Sequence, residues 1–174
     1  MFKINLCIFA GLFWIFKKIK MIFYRILSVI INMFCAFMAI ITIFSLPFVL
    51  AHPEGLLSTF IIVCIVLYGW FANRFYVSVI LRKQQMSKKQ RDWLQVNAIT
   101  SFVFAVLSII GGVYLYFDRE TIDEMLATMP MQDANAKQLF LNGMLVFLVL
   151  FVLLVTHIVW TYILVRKHKE YFME

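Results

Sequence analysis

The sequence is poor in charge: only 14% of its 174 residues are Asp, Glu, Lys or Arg, while 64% are hydrophobic. A soluble domain carries about 25% charged and about 45–50% apolar residues. Acids are missing altogether from the long apolar runs. Ion- and proton-coupled transporters commonly keep a carboxylate at membrane depth, so its absence argues against coupled transport. The three cysteines, Cys7, Cys35 and Cys64, form no CxxC pair, which removes a redox couple or a zinc site as the expected chemistry. They read as small apolar packing residues. Histidine is scarce too. His157 is the only one within an apolar run, so a bis-histidine haem site inside one chain is not available. No GxSxG, HExxH, P-loop or carboxylate pair occurs, and no enzymatic activity is expected.

What is present is hydrophobic length. Four runs, about 26–50, 55–81, 94–117 and 139–165, exceed the roughly 18–20 residues a helix needs to cross a bilayer. The fold class expected is all-α, an integral membrane four-helix bundle occupying residues 21–174 as a single domain. Span one follows Arg25 and ends around Pro47. The short "AHPEG" turn at 51–55 makes spans one and two an antiparallel hairpin.

The stretch "RKQQMSKKQRDW" at 82–93 concentrates Arg82, Lys83, Lys88, Lys89 and Arg91. Charge asymmetry decides its meaning. With both termini in the cytoplasm, fourteen of the sixteen basic residues lie inside, and Arg119 and Lys137 lie outside. Six of the nine acids then lie outside. The positive-inside rule selects this N-in/C-in orientation and a multi-pass protein of the bacterial inner membrane. The loop residues, with Arg166 and Lys167 of the tail, form a basic rim for anionic headgroups. Because the bases cluster at every inner edge, they read as a topology signal; no nucleic acid is expected as partner.

Residues 1–20, "MFKINLCIFAGLFWIFKKIK", stand apart. The apolar run Ile4 to Phe16 is too short to cross unaided, and no small-residue cleavage site follows. An in-plane interfacial segment and a mis-assigned start, with Met21 as initiator, are both open readings.

Small residues Ala98, Ser101, Ala105, Ser108 and Gly112 recur every three or four positions in span three, letting helix backbones approach closely. Span one has a shorter counterpart in Ser28, Asn32, Ala36 and Ala39, whereas span four is bulky and suits a lipid-facing place. Aligning Arg82-Lys83 with Arg166-Lys167 suggests a weak repeat that pairs Asn73 with His157.

The stretch "RDWLQVNAITSFVF" resembles segments of small, uncharacterised four-span bacterial inner-membrane proteins. That resemblance covers one span and its approach, and it implies a fold without an activity.

Asn32, Asn73, Asn97 and His157 fall about 9–14 Å inside the basic boundary, with Arg74 beside Asn73. Two readings compete. These five residues form a polar pocket for a headgroup, anion or proton relay, or they make interhelical hydrogen bonds while Arg74 snorkels. On the other side, "TIDEMLATMP" predicts a short external amphipathic helix, capped by Thr121 with Glu124 and stopped by Pro130. Ile122, Met125, Leu126 and Met129 share its apolar face, and Asp133 is placed to cap the helix into span four. Met125, Met129, Met131 and His52 have the softness for Cu(I), but an apolar face on bilayer or partner explains them more simply. No metal or cofactor is expected. The function expected is that of a scaffold, accessory subunit or lipid-contacting protein; the alternative is a small transporter or channel-like oligomer. Membrane lipids are the expected partners, with a membrane protein or a second copy of the chain as the macromolecular ones.

Overall fold

The computed structural model describes residues 2–51, 55–127 and 134–173, with side chains described for 21–50, 55–118, 120–124 and 137–172. Among the described residues five α-helices carry the fold: α1 (Phe2–Ala51), α2 (Leu56–Phe75), α3 (Lys88–Phe117), α4 (Arg119–Ala127) and α5 (Ala134–Lys167). A turn of π-helix, Tyr76–Leu81, continues α2, and a 3₁₀ turn, Lys169–Tyr171, follows α5. The expected all-α architecture holds apart from two two-residue strands, β1 (Met86–Ser87) and β2 (Phe172–Met173), which pair in parallel.

Among the described residues, four segments are long and apolar enough to cross a membrane: Met21–Leu50, Leu56–Leu81, Lys88–Phe117 and Lys137–Lys167. At 1.5 Å per residue the shortest is about 39 Å long, beyond the roughly 30 Å of a hydrocarbon core. They pack as a ring in which α1 meets α2, α2 meets α3, α3 meets α5 and α5 closes on α1. Val49 and Gly55 touch where α1 gives way to α2, as a tight hairpin requires.

Several boundaries depart from expectation. Helix α1 runs through Pro47 to Ala51. Proline removes one backbone donor, and helices of this apolar kind tolerate it where neighbouring groups re-satisfy the backbone. Helix α3 starts at Lys88, six residues before the expected span, because Ser87 caps it: the serine hydroxyl accepts from the Gln90 amide at 3.4 Å. Half of the basic loop, residues 88–93, therefore belongs to the helix. Helix α4 begins at Arg119 with Asp118 as its cap, not at Thr121; the carboxylate accepts from the Thr121 amide at 3.3 Å and hydroxyl at 2.8 Å. Asp118 lies three residues nearer the end of span three than Thr121, and two bonds to one residue hold it there. Those bonds stabilise its anion and lower its pKa. Ile122 of the expected apolar face is fully buried, and Lys137 at the start of α5 pairs with Asp123. Met129, Met131, Pro130, Asp133 and His52, and the side chains of Met125 and Leu126, lie outside the described residues.

The core follows helical spacing. Helix α1 contributes Tyr24, Leu27, Ile31 and Cys35, α2 contributes Ile65, Tyr68, Ala72 and Phe75, and α5 contributes Leu154, Ile158, Leu164 and Val165. Large apolar side chains also cover the outside, Phe44 being 81% exposed and Ile99 67%. Where the surroundings are as apolar as the interior, burial supplies little drive, and close packing must hold helices together. The small residues do this. A Cβ on Gly69 would sit 2.5 Å from Cys35 Sγ, and one on Gly112 would sit 2.7 Å from a Leu148 methyl. Ala105 is fully buried, so the α3 stripe faces the bundle, as its spacing predicts. Helix α5 is not wholly outward: Leu150 packs against the core, while Val149 and Val152 are about half exposed.

Candidate functional site: a buried polar layer around His157

Spacing of four along one helix puts two side chains on one face. In α5 this pairs His157 with Thr161, and in α1 it pairs Tyr24 with Ser28. The structure brings these four together with Tyr68 of α2. His157 Nδ1 lies 2.7 Å from the Tyr68 hydroxyl, and Nε2 lies 2.9 Å from Ser28 Oγ. Thr161 Oγ1 lies 2.9 Å from the Tyr24 hydroxyl and accepts from Tyr68 at 3.3 Å. The Tyr68 hydroxyl is thus shared between His157 Nδ1 and Thr161, Ser28 meets Nε2, and each polar group has a partner. The Tyr24 ring stacks on His157 with centroids 5.2 Å apart and planes 10° from parallel, and Tyr68 meets the imidazole edge-on. Tyr24 also touches Tyr76 and Trp160, so its ring joins α1, α2 and α5.

Ser28, His157 and Tyr68 satisfy the contact pattern of a nucleophile, a base and a group orienting the base. Catalysis needs more. Ser28 and His157 are 5% and 2% exposed, so no substrate reaches them in this arrangement. Both lie inside helices, where backbone N–H groups are committed to carbonyls four residues back and cannot form an oxyanion hole. Both ring nitrogens are engaged, leaving neither as a metal ligand. The arrangement is one hydrogen-bonded knot tying three helices.

The five residues expected to form a pocket are not gathered into one. His157 joins the knot. Asn97 is buried but donates to the Trp93 carbonyl one turn back, at 2.7 Å. Asn32 is half-buried on α1 beside Gly69. Asn73 and Arg74 are exposed, because the inward face of α2 is set by Tyr68, Ala72, Phe75 and Val79. One and two residues past Ala72 turn them about 100° and 200° away. Equal depth did not mean a common face. The two residues that the repeat pairs face differently: Asn73 is exposed and its counterpart His157 is buried. Tyr24, Tyr68 and Thr161 were missed by the sequence reading. Their signal was phase: Tyr24 and Ser28, like His157 and Thr161, repeat at the spacing of the apolar core. Among the described residues one buried hydroxyl, Ser101 Oγ, has no hydrogen-bond partner.

The basic rim is assembled at one end. Arg82, Lys83, Lys88 and Lys89 are exposed between α2 and the first turn of α3, and Arg166 and Lys167 are exposed at the end of α5. Lys83 adopts a left-handed backbone, φ 52°, that turns the chain there. Pairing of β1 with β2 pulls the tail beneath this loop, matching Met86 with Phe172. Phe172 stacks on Phe75 at 6.0 Å, and the Arg91 guanidinium lies over the Phe172 ring, 5.7 Å from its centre.

No protein-family model, curated protein or solved structure matches the chain.

Proposed function

We propose that the chain is a multi-pass protein of the bacterial inner membrane, with both termini cytoplasmic, acting non-enzymatically as a lipid-contacting scaffold or accessory subunit. The observation that carries this reading is the closure of the polar layer on itself. His157, Tyr68, Ser28, Thr161 and Tyr24 satisfy one another and are sealed, while the outward faces are apolar. A transport path needs polar groups that face water; a scaffold needs rigid helices and an outer surface that lipid or a partner helix covers.

The experiment probes hydration. In a variant lacking Cys7, Cys35 and Cys64, a single cysteine at Ser28 or Thr161 should resist a membrane-impermeant maleimide from both sides, while one at Lys83 should react. Labelling at Ser28 or Thr161 in folded protein would replace the scaffold with a hydrated pathway.

A second reading has its own observation. Asn73 and Arg74 lie on the exposed face of α2, Arg74 about 12 Å inside the level of Arg82. An exposed cation at that depth is costly next to lipid and becomes cheap between copies of the chain. A channel-like oligomer would place it there. Arg74→Lys separates the two readings, since lysine snorkels as well but lacks the planar two-pronged contact. Unchanged stability and mass in detergent would support the monomeric scaffold; loss of a wild-type oligomer would support the second reading.

A further inference from the structure

Between α3 and α5 the bundle carries an outward-facing groove of about 360 Å³. Leu94, Ala98 and Phe102 form one wall, and Ile158, Tyr162 and Val165 the other. Their spacings of three and four make each wall a straight strip along its helix. The groove is open to its surroundings: Ile99 at its edge is 67% exposed, and Tyr162 51%. It is almost wholly apolar: Gln95 and the Tyr162 hydroxyl are its accessible polar groups, and Thr161 beneath them is buried in the knot.

Its position relative to charge is specific. Leu94 lies three residues after Arg91, and Val165 immediately precedes Arg166, so both walls end at the basic rim. Each arginine is held in place. The Arg166 guanidinium carbon is 5.6 Å from the ring centre of Tyr162, which is itself part of the wall. Arg91 lies over Phe172 and spends two N–H groups on Asp92, at 3.1 and 3.0 Å. A guanidinium has five N–H donors, so Arg91 keeps capacity for a second anion. Lys88 and Lys89 add exposed positive charge on the same turn of α3. An apolar slot with two oriented guanidiniums at one end matches a molecule with a hydrocarbon chain joined to a phosphate.

We propose that the α3/α5 groove binds one anionic glycerophospholipid, an acyl chain lying against Ala98 and Phe102 and the phosphate at the mouth flanked by Arg91 and Arg166. The proposal rests on the membrane reading above and names the lipid class that reading leaves open. It also gives the tail a role, since Phe172 helps position Arg91.

The test uses full-length protein in a mild non-ionic detergent, with retained lipid counted by native mass spectrometry after adding phosphatidylglycerol or phosphatidylcholine. Phosphatidylglycerol should be retained roughly tenfold better. Arg166→Gln should cost roughly fivefold of that preference, the weight of one basic group at the surface. Ala98→Leu, which fills the slot and leaves the charges, should lower retention of the bound lipid, and inorganic phosphate should not displace it. Lys167→Gln should cost less than Arg166→Gln, and circular dichroism should show both variants folded. Arg166 rests on Tyr162 of α5 whereas Arg91 rests on Phe172 of the tail, so the Arg166 variant keeps the test valid if Arg91→Gln disturbs Phe172. Equal retention of the two lipids, displacement by inorganic phosphate, or equal loss in the Lys167 and Arg166 variants would overturn the groove. Recovery of wild-type chain in the soluble fraction would instead overturn the membrane reading on which it stands.

Discussion

Tyr68 and His157, 89 positions apart in the chain, share a 2.7 Å hydrogen bond inside the bundle. It links α2 to α5, two helices that are diagonal in the ring, and so braces the bundle across its middle. Tyr68→Phe keeps the ring and removes the hydroxyl that serves His157 and Thr161. A double-mutant cycle with His157→Leu, read by thermal unfolding in detergent, should give a coupling of about 0.6–1.7 kcal/mol. A coupling of zero would mean that this bond is not made.

Helices α1 and α2 approach closely at Gly69 and Cys35. Gly69→Ala would set a methyl 2.5 Å from Cys35 Sγ and 3.0 Å from its Cβ, neither of which can swing away far. Overpacking of this kind costs about 1–3 kcal/mol. Cys35→Ala removes the sulfur and should restore part of the loss in the double variant. Gly111→Ala meets nothing within 4 Å and should be neutral or stabilising, because alanine is the better helix former. Equal effects of the two glycine changes in a thermal melt would place the α1–α2 contact elsewhere.

Asp118 makes the start of α4 pH-dependent. Its bonds to Thr121 hold its folded-state pKa below the ordinary aspartate value of about 4. A depressed carboxyl pKa contributes stability that is complete above the unfolded value and is lost as pH falls through the lower folded one. Hydrogen exchange in residues 120–124 should therefore quicken below about pH 4 relative to Asp118→Asn at the same pH. The asparagine variant keeps an accepting oxygen and should show no such step. Identical profiles would remove Asp118 as the cap that carries this dependence.

Orientation is decided by labelling intact cells. Cysteines introduced singly at Gln84 and Glu124, in the cysteine-free background, should be inaccessible and accessible respectively to an impermeant reagent. The positive-inside rule predicts this from the clustering of basic residues at one set of span ends. Labelling at Gln84 from outside would invert the orientation and place the basic rim on the wrong leaflet for the proposed lipid.

Helix boundaries were partly legible in the residues. The apolar runs located all four long helices, yet hydropathy put the start of α3 at residue 94 when it lies at Lys88. A basic, polar first turn carries no hydropathy signal. The serine followed three residues later by glutamine does carry one, since that pair is a helix-start signature. Asp118 escaped for a related reason: the Thr121–Glu124 box is as good a local signal, and only the bonds formed show that Asp118 caps α4. For the polar layer, depth along each helix was readable by counting from the basic boundary. Direction around each helix was not, and Asn73 and Arg74 faced outward as a result.

The division has a physical cause. An apolar run must satisfy its backbone hydrogen bonds within itself, so helix number, order and length are local properties that the sequence by itself determines. The clustering of basic residues at one end is likewise a property of linear order. Which face of each helix turns inward is different, because the outward faces here are as apolar as the inward ones and transfer from water does not choose between them. The choice falls to fit: Gly69 admitting Cys35, Gly112 admitting Leu148, and Tyr68 reaching both His157 and Thr161. Those contacts join residues far apart in the chain, and only the assembled bundle decides them.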